Sequence, residues 1–295
     1  MTGISDTPKN ITEEPQSHTV VDPIFADYYY RFKQFCSFYP LREQHLANSI
    51  LNTIDIFSKS ESHSLSILDV GSAGGELLGE IISILSMNSG IEFYCAAVEP
   101  DPLAFLRLDV TARLLRKPGK VAIDCVQACI ENVMPAWRHH STRKFDFILC
   151  SHVFYHLKDW AATISDLRSF LCPGGKIIVI LDSHHSPIYD FKNDIELVIG
   201  HHNNIRGYGD LCSAENFLAL LKSLDLSYSY KELDWDLLMM SINLLVDLES
   251  VLTFLYRFPV NGRSDVLEAL DNFSKKFQFG NAYCFPWREG LFIVS

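Results

Sequence analysis

This 295-residue sequence has no stretch both long and apolar enough to cross a bilayer, which takes about 20 residues. No apolar leader opens it, since its first residues are polar, so a cytoplasmic protein free of membrane contact is expected. Positive charge is also short. Asp and Glu outnumber Lys and Arg by 36 to 25, and the net charge of −11 argues against nucleic acid or an anionic membrane as a partner while permitting a cationic substrate. The eight cysteines include no C-x-x-C pair, and Cys95, Cys125 and Cys150 fall inside apolar runs. They read as reduced core thiols rather than a disulfide framework. There is no G-x-S-x-G nucleophile turn, no G-x-G-x-x-G dinucleotide fingerprint, no internal repeat and no low-complexity tract beyond the N-terminal tail. None of the histidine pairs 139–140, 184–185 and 201–202 is itself part of an H-x-x-x-H. Neighbours on a strand or helix point apart, so no metal is expected.

What is present is ample apolar material, 48% of the residues, enough for one large core or a core with a cap. Residues 1–22 are polar and read as a disordered tail. From 23 to 295 a single domain is expected, with substrate-covering segments at about 23–57, 183–212 and 235–262. Aromatic residues crowd the first of these, where Tyr28 and Phe32 share a helical face with Phe35. That face is either core packing or a wall over a ligand. The second is polar and rich in His, Asn and Gly, and follows a strand directly, where ligands bind in open sheets.

Between these segments apolar runs alternate with helical spacing. Strands are expected at 66–70, 92–98, 122–128, 145–152 and 176–182, with further strands at 226–233 and 291–294. Helices are expected from Glu76, over 103–115, 160–171, from Ser213, over 237–255 as an apolar pair, and over 267–277. Such alternation means an α/β fold with a mostly parallel sheet covered on both faces.

The chain is organised around Ser66–Glu76. A strand ends in Asp69, a small-residue turn Gly71-Ser72-Ala73-Gly74-Gly75 follows, and Glu76 opens a helix. Glycines let a backbone approach a ligand, and a helix start offers free N–H groups. The second strand ends at Glu99-Pro100, placing a carboxylate where it can accept ribose hydroxyls; the plain alternative is that Glu99 only starts the next helix.

The turn reads Asp-x-Gly-x-Ala-Gly-Gly, which resembles the first motif of the class I S-adenosylmethionine-dependent methyltransferases, with Ala73 in place of a glycine. Leu171-Cys172-Pro173-Gly174-Gly175-Lys176 resembles the turn that precedes that family's fifth strand. A narrower resemblance, to the histamine N-methyltransferase-like family, rests on Ala97–Pro100, Val153–Thr163, Asp210–Cys212, Leu224–Leu226 and Phe292–Val294. It implies a Rossmann-like class I methyltransferase with a seven-stranded sheet and a small helical or loop substrate cap. It implies S-adenosyl-L-methionine as cofactor and S-adenosyl-L-homocysteine as product, held by Asp69, Gly71, Ser72, Ala73, Gly74, Glu76, Glu99, Pro100, Cys129, Ile130 and Ser151. The substrate would meet Tyr28, Phe32, Glu43, His152 and Tyr155, with His152, Tyr155 and His156 at the chemistry, and His184 is a further candidate for the substrate wall because it follows the fifth strand. The family's substrate-binding Gln is His152 here, its second tyrosine is His156, and its C-terminal Asn falls near Arg288.

The reaction so implied is in-line methyl transfer to a nitrogen of a small amine or imidazole compound, with positioning and exclusion of water as the main tasks. His152 or His156 would accept a proton. The alternatives are an O- or carboxyl-methyltransferase of natural-product biosynthesis, and a cofactor-binding protein without catalysis. Oligomeric state is left open.

Overall fold

The structure is a computed structural model that describes residue 30 and residues 39–53, 64–88, 91–140, 143–186, 189, 213–240, 264–280 and 282–295. The expected tail, Tyr28 and Phe32, and most of the three expected covering segments lie outside the described residues.

Among the described residues eight strands form one sheet: β1 (Ser64–Val70), β2 (Glu92–Val98), β3 (Val121–Val126), β4 (Phe145–Ser151), β5 (Leu171–Asp182), β6 (Tyr228–Met240), β7 (Gln278–Phe279) and β8 (Ala282–Val294). Their order is β3-β2-β1-β4-β5-β8-β6, with the two-residue β7 paired to β8. The first five run parallel, and β8 is antiparallel to both β5 and β6. The expected sheet of seven strands is therefore the main path, and β7 is an added eighth. Seven α-helices are described: α1 (Tyr39–Thr53), α2 (Glu76–Asn88), α3 (Pro102–Leu115), α4 (Ile130–His140), α5 (Trp160–Arg168), α6 (Ala214–Ser223) and α7 (Ser264–Lys275). Among the described residues no helix is long and apolar enough to cross a membrane.

The central strands β1, β2 and β4 and the second half of β5 are mostly apolar and buried because both faces are covered there. Alternate side chains go to opposite sides. Ile67, Cys95 and Leu149 join a core with Leu46 and Ile50 of α1, Leu78, Ile82 and Leu85 of α2, and Leu108 of α3. Leu68, Ala96 and Ile148 join the other core, with Met134 of α4, Ile164 and Leu167 of α5, and Phe217 and Leu221 of α6. Parallel registry aligns the ends of β1 and β2, Val70 opposite Val98, so the turn after β1 meets the residues after β2.

Several elements differ from the expectation. Helix α4 was not among the expected elements; Pro135 sits in its interior, removing one helical hydrogen bond, while Val133 and Met134 bury against the sheet and hold it. Helix α5 stops at Arg168 rather than Leu171, because Leu171 already pairs with Phe145 in β5. The expected turn Pro173-Gly174-Gly175 is an irregularity inside β5: pairing jumps from Phe145↔Leu171 to Phe147↔Lys176. Gly174 has φ +76, and a Cβ on Gly175 would lie 2.9 Å from the Phe145 carbonyl oxygen. Residues Leu237–Met240, expected as the start of a helical pair, are strand, paired to Ala282–Phe285; the rest of that pair lies outside the described residues. The closing strand spans Ala282–Val294 rather than four residues. A short apolar run reads equally well as strand or helix until a partner strand selects one.

Phe217 of α6 is fully buried between Phe154 (ring centroids 4.9 Å) and Phe292 (5.0 Å), both met edge-on. It thus pins the segment after β4 to the sheet. Phe217→Ala is expected to cost about 3–5 kcal/mol in urea unfolding, whereas Leu224→Ala, at a site 38% exposed, should change stability by under about 0.5 kcal/mol.

Candidate active site

Two groups of side chains gather at the carboxyl ends of the parallel strands. The first lies over β1 and β2. Gly71, at φ +68, donates its N–H to the Val98 carbonyl oxygen (2.8 Å), and Ser72 donates to the same oxygen (3.1 Å). A Cβ on Gly71 would sit 2.6 Å from Cγ2 of Val153, so this position is closed to any larger residue. Ala73 stands in the left-handed region at φ +48, which costs a non-glycine residue about 1 kcal/mol. In that conformation its N–H points at Glu99 Oε2 (2.8 Å). The other oxygen, Oε1, accepts from the N–H of Asp101 (2.8 Å).

Glu99 therefore does not start the next helix. Asp101 does: its Oδ1 caps α3 by accepting from the N–H groups of Leu103 and Ala104, both at 2.8 Å. Asp101 Oδ2 is buried without a hydrogen-bond partner among the described residues, an acceptor left for a ligand donor. Asp69 is buried at the end of β1, with its carbonyl accepting from Ser72 Oγ (3.1 Å). Burial pushes both carboxyls up to about 7. The Ser72 hydrogen bond opposes this at Asp69, and the two backbone N–H groups oppose it at Glu99. Gly74 and Glu76 complete the turn, where a Cβ on Gly74 would lie 2.6 Å from the Glu76 carboxylate. Of the remaining expected cofactor contacts, Pro100, Cys129 and Ser151 are half-buried, whereas the Ile130 side chain is part of a core cluster.

The second group lies over β4, β5 and β8. His152 follows β4 at φ +53, held by its N–H to the Ile180 carbonyl (3.0 Å). A single 3-10 turn, Phe154–His156, then brings Tyr155 back, with its hydroxyl 2.9 Å from His152 Nδ1. Tyr155 Oη also donates to Asp182 Oδ2 (3.2 Å) and accepts from the Asp182 N–H (2.9 Å). Trp287 Nε1 donates to Asp182 Oδ1 (2.7 Å). On the other side of the ring, His152 Nε2 lies 2.8 Å from Glu289 Oε1 and 2.6 Å from Arg42 Nη2. A protonated Nε2 donates to Glu289, and a bare one accepts from Arg42. Arg42 also bonds Glu289, reaches Glu43 Oε1 (2.8 Å), and stacks over Trp235 (4.9 Å). Trp235 Nε1 donates to Glu289 Oε2 (3.0 Å).

The antiparallel register of β5 and β8 sets Asp182 directly opposite Glu289, two fully buried acids side by side. Burial alone would raise Glu289, but Arg42 and His152 beside it hold it down at about 2. Burial raises Asp182 above the usual carboxylate range, against the pull of His152.

The structure thus brings together three of the expected substrate and catalytic residues, His152, Tyr155 and Glu43, the last through Arg42. His156 is exposed on the turn, its ring edge-on to Tyr155 (6.3 Å); the four-residue spacing from His152 spans a 3-10 turn and leaves one ring half-buried and the other in solvent. His184 is 47% exposed and bonded to Glu215 (2.9 Å). Arg288 is partly exposed on β8 and paired with Asp234 of β6 (2.6 Å). Arg42, Asp182, Trp235, Trp287 and Glu289 are members that sequence reasoning missed. Asp182 was visible as the acid ending an apolar strand; Glu289 was not, because only the pairing of β8 extends that strand back across it.

A family model described as "Methyltransferase domain" matches residues 29–227. The chain belongs to the methyltransferase domain family. It is similar to histamine N-methyltransferase A of Xenopus laevis, 28% identical over 157 residues, 48% of this chain and 50% of that protein. It is also similar to histamine N-methyltransferase of Xenopus tropicalis, 30% identical over 126 residues, 41% and 42% of the two chains. The chain thus spans about half the length of the curated relatives it matches. Among solved structures, the plantazolicin methyltransferase BpumL in complex with a triazolic desmethyl analogue and SAH superposes with a TM-score of 0.50 at 14% identity, over 92% of this chain and 89% of that one. In this fold Gly71–Gly75 lies after the first strand and Glu99 after the second.

Asp69 and Glu99 fix a pH dependence. Each carboxyl holds its proton more tightly in the folded chain, rising from 3.8 and 4.5 to about 7. Between those values the folded state binds more protons than the unfolded one, so stability falls as pH rises from about 4 to 7 and levels off above. Chemical denaturation across that range should show the decline, and Glu99→Gln should remove the Glu99 share and leave the shallower slope due to Asp69; an unchanged slope in the variant would assign the protons elsewhere.

Proposed function

We propose that this methyltransferase moves the methyl group of S-adenosylmethionine to a nitrogen of a small amine or imidazole compound, releasing S-adenosylhomocysteine. The observation that carries the substrate class is the buried acid-rich group at the ends of β4, β5 and β8. Among the described residues the positively charged or basic partners of Glu43, Asp182 and Glu289 there are Arg42 and His152, a lining that favours a basic, hydrogen-bond-donating ligand over an anionic one. The similarity to two histamine N-methyltransferases points the same way.

The cofactor's residues would be Gly71, Ser72 and Ala73 through the backbone, and Glu99 and Asp101 through carboxylates. These fit the group: Glu99 is fixed by two N–H donors, and Asp101 Oδ2 is an unmet buried acceptor, suited to hydroxyl or amino donors. When bound, the cofactor supplies an electrophilic methyl carbon on a sulfonium.

The protein's own task is then to orient a nitrogen lone pair, keep water out and take one proton. His152 accepts the proton that the nitrogen loses. Glu289, held ionised, stabilises the charged imidazole, while Tyr155, anchored by Asp182, fixes the ring's other nitrogen. No metal is required for this step.

Incubation with labelled cofactor and a panel of small amines, imidazoles, phenols and carboxylic acids tests the class. A base-stable N-methyl product from the amine or imidazole set is expected, and base-labile esters or phenol ethers would replace this reading with O-methylation. Glu99→Ala should weaken cofactor binding by about 1–3 kcal/mol in calorimetry, the size of a lost charge-assisted hydrogen bond. His152→Ala should cut turnover by about 10²–10⁴-fold, the span of general base catalysis, while leaving cofactor affinity within about twofold. A collapse of cofactor affinity in that variant would place His152 in the cofactor's pocket instead.

A further inference from the structure

We propose that the turn after β5 and the first turn of α6 form a divalent-metal site, with His184, His185 and Glu215 as ligands and a transition cation of the zinc class as the ion. One donor atom from each residue lies within 4.8 Å of the others. His184 Nδ1 is 2.9 Å from Glu215 Oε2, and the two imidazole rings are 4.2 Å apart between centroids. The expectation that neighbouring histidines point apart fails here for a physical reason: residues 184 and 185 occupy a turn, not a strand or helix, and both rings stay on one side of it.

The backbone carrying these ligands is fixed. Ser183 and Ser186 are fully buried. Ser183 donates its N–H to the Arg288 carbonyl (2.9 Å), and Ser186 donates to the Ser183 carbonyl (2.9 Å). Ser186 Oγ bridges Arg288, accepting from its N–H (2.8 Å) and donating to its carbonyl (3.2 Å). Ser183 Oγ accepts from the His185 N–H (3.1 Å) and donates to Glu215 Oε1. The His184 N–H holds Glu215 Oε2 (3.0 Å). The carboxylate and the two imidazoles are therefore brought together by contacts that require no ion, which lowers the ordering cost of binding one. Borderline ions take imidazole nitrogen and carboxylate oxygen at about 2.0–2.2 Å. Side-chain rotation at exposed His184 and His185 suffices to close the set, and their exposure leaves room for water as a further ligand.

A second set of three, His152, Asp182 and Glu289, also converges, but Arg42 is already there. Its guanidinium lies 2.6 Å from His152 Nε2 and bonds Glu289, so a dication would meet a fixed positive charge. The proposed site does not rest on the transfer chemistry. Its effect is structural: the ion would bridge His184 and Glu215, 31 residues apart in sequence, fastening α6 to the end of β5.

The test uses the full chain, stripped of metal and kept reduced, titrated with Zn²⁺ by calorimetry and with Co²⁺ by absorption. One saturable Zn²⁺ site is expected, weakened more than about 100-fold by His185→Ala and by Glu215→Gln, beyond the span of about 10–100-fold that loss of an outer contact gives. Zn²⁺ should raise the melting temperature of the parent chain and leave that of His185→Ala unmoved. The Co²⁺ spectrum should lack the intense thiolate-to-metal band, since every ligand is nitrogen or oxygen. Absence of saturable binding, binding unaffected by His185→Ala, or a thiolate band accounting for the bound cobalt would each overturn the site. His185 is exposed, so circular dichroism of its variant separates loss of ligand from loss of fold.

Discussion

Two backbone N–H groups, those of Ala73 and Asp101, close on the carboxylate of Glu99, and the rest of the first site depends on that clamp. It joins the turn after β1 to the segment after β2, and it exists only because the parallel register ends both strands at the same level. The clamp also explains why Ala73 tolerates a left-handed conformation: the strain is small beside a charge-assisted hydrogen bond to a buried acid. Burial of Glu99 and Asp69 is unfavourable to the empty chain above neutral pH. Hydroxyl donors or positive charge brought beside these carboxylates would offset that cost.

The second site works on the same physics with a different balance. Glu289 is as deeply buried as Asp182, yet the two move in opposite directions. Arg42 and His152 reach Glu289 directly, while Asp182 is met mainly by neutral donors, Trp287 and the Tyr155 hydroxyl. One carboxylate is therefore held ionised and the other is biased towards its neutral form. Arg42 is the keystone of this arrangement: it reaches Glu43, Glu289 and the face of Trp235 from a single buried position on α1. Removing it would leave buried acids uncompensated, which is costlier than the ion pair itself is stabilising.

Around both sites the glycines and aromatic rings act as spacers. Gly71 leaves just enough room for Val153, so the turn after β1 and the segment after β4 pack against each other without intervening side-chain bulk. Phe154 and Phe217 anchor the underside of that same segment. His152 and Tyr155 thus stand on a rigid base, and their mutual distance is a property of the core rather than of a free loop.

Alternating apolar runs and helical spacing were enough to read the parallel half of the sheet from the sequence, with β2 and β4 nearly to the residue, because each of those strands is continuously buried and needs no partner to be recognised. Gly71–Gly75 and Glu99 were legible for the same local reason: a turn of small residues and an acid at a strand end are written in consecutive residues. The antiparallel half was not. The lengths of β6 and β8 are set by each other, and a run such as Leu237–Met240 has no shape of its own until Ala282–Phe285 lies beside it. What only the tertiary structure decided follows from that pairing: Arg42, Asp182, Trp235 and Glu289 meet around His152 from positions up to 247 residues apart, a convergence carried by register and packing that no spacing along the chain encodes.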